Sequence, residues 1–300
     1  SPPSALAQAS ISAPHAAASP RPCPMKHFAA DDGESIHVEI AGAGTPLVLL
    51  HGWTASHQEW SPLVAALARH HQVIRWDARG HGGHPLAAAT RPTVRRMAQD
   101  LRNLLDHYAL RDVVLVGHSM GALTIWEYLR AFGTAGVRKL CLIDQSPRLV
   151  TDDDWALGIY GDFDRGRAEA FAGELRADFT ESVLRLAAHG LNARARSKYD
   201  ENAKGWQRVR ETLQRLDPAP LIDIWSSLTA ADYRDVLERI DVPTLLVWGG
   251  ASNFYGLATA RYVHEHIRGS TLHVYEDTDH SPHQWQRERF ERDLLSFVAR

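Results

Sequence analysis

Short apolar runs alternate with segments whose apolar residues recur at helical spacing along most of this chain. The continuous run Pro46–Leu50 is typical of a strand that is buried on both faces of a sheet. After Thr93, apolar residues keep a helical period, which predicts a helix. Strand–helix alternation in turn predicts a doubly wound, mostly parallel sheet. The predicted strands are Pro46–Leu50, Val73–Trp76, Val113–Val116, Lys139–Ile143, Pro243–Trp248 and Thr271–Tyr275.

The N-terminal region divides into two parts. Residues 1–24 are rich in Ala, Ser and Pro, carry almost no charge and show no period, so we expect a disordered tail. Met25–Ala29 and Ile36–Ile40 flank a turn and predict a hairpin. Met25 is the favoured start of the natural protein, which predicts a cytoplasmic enzyme. The alternative is a secreted or periplasmic protein, with Ala5–Ala7 as the remnant of a signal cleavage site.

Residues 148–236 interrupt the strand–helix alternation. They are helical in pattern, rich in Arg, Asp, Glu and Trp, and lack a clear strand. An insertion between two core strands would lie at the carboxyl edge of the sheet, where open α/β sheets bind ligands. We therefore predict a core formed by residues 25–147 and 237–300, with residues 148–236 as a helical cap (a lid), called the cap segment below.

Composition narrows the function classes. A chain of 300 residues with 44% hydrophobic residues can form one large α/β domain, and its net charge of −3 favours neither nucleic acid nor a membrane surface as a partner. Cys23 and Cys141 are the two cysteines, and we expect no bridge between them. The sequence shows no phosphate-binding loop and no cysteine spacing of the metal-binding type, so we expect no metal and no organic cofactor.

The most specific motif is Gly-His-Ser-Met-Gly at Gly117–Gly121. It lies between a predicted buried strand and a predicted helix, which is the context of a nucleophile elbow. Glycines allow the sharp turn that lifts the Ser119 hydroxyl clear of the backbone. The turn also places Ser119 at a helix N-terminus, where developing negative charge is favoured.

A serine hydroxyl needs an adjacent base to act as a nucleophile. His280 follows the last predicted strand in a loop, which places it at the same sheet edge as Ser119. His283 is the nearby competitor, one helical turn further along the chain.

With these residues in place, the chain resembles the α/β-hydrolase superfamily, in particular its small serine esterases, perhydrolases or haloperoxidases, and lactonases. The resemblance covers Met25 to Arg300 and rests on His51–Trp53, Asp77–Gly82, Gly117–Gly121 and His280, in the family's order and spacing. It implies the α/β-hydrolase fold and an oxyanion hole formed by the backbone N–H groups of Trp53 and Met120. It also implies a structural role for Asp77–Gly82.

The acid of a catalytic triad is not where the resemblance places it. Most relatives carry an aspartate soon after the strand Pro243–Trp248, where this chain has Ser252 and Asn253. Asp144, at the end of the preceding strand, is one candidate for the acid that holds the histidine. A Ser–His dyad supported by Asn253 or Ser252 is a second, and another acid is a third. Asp279 is disfavoured because neighbouring side chains usually diverge.

Candidate substrate contacts come from the core and the cap segment. Aromatic residues of the cap segment indicate an apolar or aromatic substrate of modest size. The side chains that we expect to contact it are Trp53, His118, Trp155 and Trp225.

These observations predict a carboxylesterase-like serine hydrolase that acts on a small ester, thioester or lactone, as a monomer or homodimer. A carbon–carbon bond hydrolase and a perhydrolase of the same fold are alternatives. The missing acid motivates another alternative, a ligand-sensing protein with slow or no turnover. An oxygenase that uses the histidine without the serine is a further one. Epoxide hydrolases and haloalkane dehalogenases of this fold need a carboxylate nucleophile, and Ser119 occupies that position.

Overall fold

The computed structural model describes residues 25–300, and the expected disordered tail at residues 1–24 lies outside that range. One eight-stranded sheet has the order β1-β2-β4-β3-β5-β6-β7-β8. β2 runs antiparallel to both of its neighbours, and the other strands in the sequence β4-β3-β5-β6-β7-β8 run parallel to one another. The predicted mostly parallel sheet is therefore confirmed. Its strands are β1 Lys26–Ala29, β2 Ser35–Ala41, β3 Thr45–Leu50, β4 His71–Asp77, β5 Val113–His118, β6 Val137–Ile143, β7 Thr244–Gly249 and β8 Ser270–Tyr275.

Twelve α-helices connect and cover these strands within residues 25–300. Thr93 begins the second of them as predicted, because its hydroxyl accepts a hydrogen bond from the Arg96 N–H at 3.0 Å. The helices are α1 Ser61–Leu67, α2 Val94–His107, α3 Met120–Phe132, α4 Arg165–Ala177, α5 Phe179–Ala188, α6 Ala193–Asp200, α7 Lys204–Gln214, α8 Pro218–Ala230, α9 Arg234–Leu237, α10 Leu257–His266, α11 Pro282–Trp285 and α12 Arg287–Ala299.

The apolar strands are buried because helices cover both faces of the sheet. Alternate side chains of β3 point to opposite faces. Leu47 and Leu49 pack in a core with residues of α1 and α12, whereas Val48 and Leu50 pack in a core with residues of α2 and α3. This explains why β3 reads as a continuous apolar run rather than as an alternating one.

The cap segment is helical, as its sequence pattern predicts. Helices α4 to α8 and most of α9 lie within it, between β6 and β7. The isolated bridge between Asp152 and Trp155 is the one strand-like pairing described in this segment. Its last long helix, α8, is attached to the core loop after β3, because the Trp53 indole N–H donates to the Leu221 carbonyl at 2.9 Å. The cap segment and this loop are therefore in direct contact.

Cys141 lies on β6 as a buried free thiol, while Cys23 falls outside the described residues. Burial raises the pKa of the Cys141 thiol, which keeps it protonated.

Within residues 25–300, none of the helices has both the length and the apolar character that crossing a membrane requires.

Candidate active site

Ser119 lies in the strained turn that its motif predicts. Its φ of 58° and ψ of −119° lie outside the ordinary regions for a side-chain-bearing residue. Gly121 permits the turn, since a Cβ there would lie 2.1 Å from the Leu50 carbonyl oxygen. A Cβ at Gly117 would likewise lie 2.6 Å from the Gly121 carbonyl. The elbow is thus packed directly against β3, and α3 begins at the residue after Ser119.

Asp144 and His280 meet at the carboxyl edge of the sheet. The Nδ1 atom of His280 lies 2.5 Å from Oδ1 of Asp144, and both residues are buried. Burial lowers the pKa of His280, and the neighbouring Asp144 carboxylate opposes that shift. A carboxylate at Nδ1 fixes the tautomer whose Nε2 is free to accept a proton. The sequence-based candidate Asp144 is therefore within hydrogen-bond distance of the candidate base.

Ser252 and Asn253, the other candidates for assisting the histidine, lie beside this pair. The Ser252 hydroxyl donates to Oδ1 of Asp144 at 2.8 Å, and the Gly249 N–H donates to Oδ2 at 2.9 Å. Oδ1 of Asn253 accepts the backbone N–H of His280 at 3.1 Å. The loop after β7 thus surrounds the carboxylate of Asp144, the residue that follows β6.

Two backbone N–H groups border the same space as Ser119. Within residues 25–300, the N–H of Trp53 is hydrogen-bonded to no acceptor. Met120 is the first residue of α3, and an N–H at that position has no partner within its helix. Both residues line one cavity with Ser119 and His280. Both N–H groups therefore lack a backbone acceptor in the described structure, and both belong to residues that line the cavity.

Two buried histidines hold the loop that carries Trp53. His51 accepts the Ala78 N–H at Nε2 (3.0 Å), so its Nδ1 donates to the Gly52 carbonyl at 2.8 Å. His81 accepts the Thr54 N–H at Nε2, 3.1 Å away. Burial lowers the pKa of both residues, to about 3 for His81, which keeps the rings neutral and one nitrogen free to accept. Neither histidine carries a local sequence signal for this role, although they lie in the motifs His51–Trp53 and Asp77–Gly82.

The cavity beside Ser119 is small and mostly apolar. Its volume is about 30 Å³, which is room for only one or two water molecules. Gln145 and Tyr255 supply its polar edge, where the Gln145 amide donates to the Tyr255 hydroxyl at 2.9 Å. The cavity is lined by Trp53, Ser119, Met120, Leu123, Gln145, Leu149, Ile159, Leu186, Trp225, Leu228, Phe254, Tyr255 and His280.

Two of the four expected substrate contacts line this cavity. Trp53 and Trp225 do so, with ring centroids 4.6 Å apart. The His118 ring is instead hydrogen-bonded to Glu59, and the Trp155 ring packs against Tyr262. Contact of His118 and Trp155 with the substrate stays a prediction, which the lining of this cavity does not support.

Asp279 remains unsuited to serve as the acid. Its Oδ1 accepts the Ser281 N–H at 2.8 Å, and no hydrogen bond joins its carboxyl to the His280 ring. Burial raises the pKa of Asp279 to about 8, so the group is mostly neutral at pH 7. A neutral carboxyl does not stabilise a histidine cation.

Comparisons with known proteins agree with this architecture. The family model described as the alpha/beta hydrolase fold matches residues 45–286. A non-heme haloperoxidase of Rhodococcus erythropolis is 28% identical, over 91% of this chain and 99% of its own length. A 3-oxoadipate enol-lactonase of Acinetobacter baylyi is 26% identical, over 89% and 94%. The solved esterase of Exiguobacterium antarcticum superposes with a TM-score of 0.79 at 28% identity, over 91% and 99%.

Proposed function

The chain belongs to the α/β-hydrolase family, and we propose that it is a carboxylesterase-like serine hydrolase that cleaves a small ester, thioester or lactone. The observation that carries the proposal is the 2.5 Å contact between Asp144 and His280, beside the cavity that Ser119 lines. Nucleophile, base and acid come from three different loops at one sheet edge. The names of the relatives support a hydrolase that acts on esters.

In the proposed reaction, Ser119 attacks the carbonyl carbon and transfers its proton to His280. Asp144 stabilises the histidine cation, and the N–H groups of Trp53 and Met120 stabilise the oxyanion. Removal of one such donor typically raises a barrier by about 3–4 kcal/mol. His280 then returns the proton to the leaving group, and water hydrolyses the acyl-enzyme with His280 again as the base. The reaction requires no cofactor.

The cavity supports a substrate with a small apolar acyl group. Trp53 and Trp225 pack on each other and add apolar surface to the cavity, and Gln145 offers an amide near the acyl-binding space. The space is only about 30 Å³ and is partly open to solvent, so a larger acyl group either extends through the opening or displaces cap side chains such as Trp225.

Perhydrolysis is the second candidate function, and the haloperoxidase relative favours it. In that reaction, hydrogen peroxide replaces water as the group that attacks the acyl-enzyme, and the product is a peracid. The same Ser119, His280 and Asp144 would act, so the two activities differ only in the acceptor. A comparison of acid and peracid yields at increasing peroxide concentration separates them.

The alternative of a ligand sensor loses its motivation with this geometry. It rests on the missing carboxylate after β7, and Asp144 supplies a carboxylate from β6 at hydrogen-bond distance. A carbon–carbon bond hydrolase has no specific observation in its favour. If the protein is an oxygenase that does not use the serine, its activity should survive Ser119→Ala.

The deciding experiment is intact-mass analysis after treatment with a fluorophosphonate. We expect one adduct on the wild-type protein and none on Ser119→Ala. Ser281→Ala is the matched control, because Ser281 is a fully buried serine next to His280 whose hydroxyl has no hydrogen-bond partner in the described structure. It should still be labelled. A folded wild-type protein that takes no label and hydrolyses no p-nitrophenyl acetate would contradict the proposal.

A further inference from the structure

Glu59 joins three segments of the proposed active site, namely those that carry Trp53, Ser119 and His280. Its Oε1 accepts the Gly52 N–H at 3.1 Å, in the loop that presents the N–H of Trp53. The same oxygen lies 3.0 Å from Nδ1 of His118, the residue before Ser119. Its Oε2 lies 3.2 Å from Nε2 of His283, in the segment that follows His280. One carboxylate, only 1% exposed, therefore contacts all three segments.

His118 extends this connection to the proposed base. Its Nε2 lies 2.8 Å from the backbone carbonyl of His280, which can only accept. Nε2 of His118 must therefore carry a proton, while Nδ1 faces the Glu59 carboxylate. His118 is thus hydrogen-bonded through both ring nitrogens. One bond joins it to Glu59, which binds the loop containing Gly52 and Trp53 (the oxyanion loop), and the other joins it to the backbone of His280.

From these contacts we propose that Glu59 and His118 are positioning residues for catalysis, which together hold the oxyanion loop and the backbone of His280 against the nucleophile elbow. The inference rests on the proposed hydrolase function. It gives the non-nucleophilic histidine of the Gly-His-Ser-Met-Gly motif a role other than contact with the substrate.

The charges of the three side chains are balanced. Burial opposes ionisation of both members of the pair, yet the Glu59 carboxylate raises the pKa of His118, and His118 lowers the pKa of Glu59. Burial and the neighbouring His118 charge lower the pKa of His283 to about 4, so that ring is neutral. One anion, one cation and one neutral donor therefore share the site, which permits burial of the pair.

The pairing makes a specific prediction for Glu59→Gln. A glutamine keeps the shape of the side chain but removes the charge that favours a doubly protonated His118. A neutral imidazole has one N–H, so His118 then cannot donate both to residue 59 and to the His280 carbonyl. The variant should retain the fold, but the loop that carries His280 should be held less firmly.

The three side chains also have the spacing of a metal site. Glu59, His118 and His283 each offer a ligand atom within 4.8 Å of the others. The hydrogen bonds described above already use those same atoms, which favours the ion pair. Elemental analysis of the purified enzyme decides between the two, because a bound transition metal at a ratio near one would overturn the inference.

The experiment is a double-mutant cycle on kcat and KM for p-nitrophenyl acetate, with Glu59→Gln, His118→Asn and the double variant. Small displacements of catalytic groups reduce rates by up to about 100-fold. We therefore expect kcat to fall about 10- to 100-fold in each single variant, with KM within about twofold of wild type. The double variant should be no slower than the slower single variant, because both changes break one connection.

Lys139→Gln is the matched control for the loss of a buried charge. Lys139 is 6% exposed and donates to the Phe297 and Arg300 carbonyls near the amino end of β6, at the sheet edge opposite Ser119. This variant should lower Tm but leave kcat within about twofold of wild type. If Glu59→Gln lowers Tm and leaves kcat unchanged, or if the two single effects multiply, the positioning role is wrong.

Nitrogen-15 NMR of the His118 ring tests the same inference on the wild-type protein, so the test does not depend on whether a Glu59 variant folds. Two protonated ring nitrogens are expected in the wild-type protein at pH 6, because Glu59 raises the pKa of His118 above its ordinary value near 6.5, and a neutral ring at that pH would overturn the pairing. Failure of the proposed function can be distinguished from failure of this inference. A wild-type protein that forms no fluorophosphonate adduct refutes the serine hydrolase, while the protonation state of His118 can still be measured.

Discussion

At the scale of single residues, the candidate site depends on which side-chain atoms carry a proton. His280 can act as a base only with Nε2 free, and Asp144 at Nδ1 ensures that tautomer. Asp144 itself has a φ of 50°, an uncommon conformation for a residue with a side chain. The surrounding hydrogen bonds from Gly249 and Ser252 hold the carboxylate in this position.

Asp144→Asn should therefore reduce kcat/KM by about 10³- to 10⁴-fold, because an amide favours the wrong histidine tautomer. Hydrolysis of p-nitrophenyl acetate at pH 8 measures the effect, and labelling by a fluorophosphonate should slow in parallel. Asn253→Ala leaves the carboxylate in place and should cost far less. A rate for Asp144→Asn within tenfold of wild type would exclude this residue as the acid.

The pH dependence follows from the environment of His280. Burial lowers its pKa from the ordinary imidazole value near 6.5, and the Asp144 carboxylate only partly offsets that shift. The neutral, active form thus persists below pH 6.5, and kcat/KM should decline only as the pH falls through the lowered pKa. A profile of kcat/KM from pH 4 to 9 measures the midpoint. A midpoint above 6.5 contradicts this assignment.

The sequence indicates a residue's role where that role depends on chain position, and it carries no signal where the role depends on contacts between distant segments. Ser119 is recognisable because a strand and a helix flank it. Glu59 has no such local signal, since its partners His118 and His283 lie 59 and 224 residues away in the chain. The same limit explains why His118 was expected in the cavity.

At the scale of elements, helix α8 determines the size of the cavity. Trp225 of this helix packs on Trp53 of the core and on Phe171 of α4. The hydrogen bond from the Trp53 indole to Leu221 attaches the same helix to the loop after β3. The helical character of this segment is predictable from its pattern. The direction of each aromatic side chain is not, because packing between helices decides it.

Trp225→Leu should widen the acyl specificity of the enzyme. The smaller side chain enlarges the space of about 30 Å³ beside Ser119, and the indole N–H that it removes has no hydrogen-bond partner in the described structure. We expect the ratio of kcat/KM for p-nitrophenyl hexanoate over acetate to rise about tenfold or more. Trp155→Leu, which changes a tryptophan outside the cavity, is the control. Equal ratios in both variants would show that α8 does not limit substrate size.

At the scale of the whole molecule, a buried ionic network joins the N-terminal hairpin to the core. Arg79 is 3% exposed and binds Asp100 of α2 through two hydrogen bonds of 2.7 Å. It also binds Asp32 in the hairpin turn at 2.7 and 3.0 Å. The doubly wound core is predictable from strand–helix alternation, whereas this network, like that of Glu59, requires the folded chain to bring its charges together.

Asp100→Asn should lower the free energy of unfolding by about 3–5 kcal/mol, because it breaks a buried ion pair and leaves part of the Arg79 charge uncompensated. Urea denaturation followed by circular dichroism measures the change. Asp223→Asn removes the carboxylate of the exposed pair with Arg91 and should change stability by less than about 1 kcal/mol. Equal losses in the two variants would refute the importance of burial here.

The position of Asp144 directly after β6 has a consequence for how this scaffold can diversify. When an acid resides after β7, that loop cannot change its length or sequence without risk to the reaction. Here the loop donates Gly249 N–H and the Ser252 hydroxyl to a carboxylate fixed elsewhere, while its Phe254 and Tyr255 face the cavity. Substitutions at positions 254 and 255 can therefore change the cavity wall without removing the carboxylate, although Phe254 also packs on the His280 ring, with centroids 4.6 Å apart.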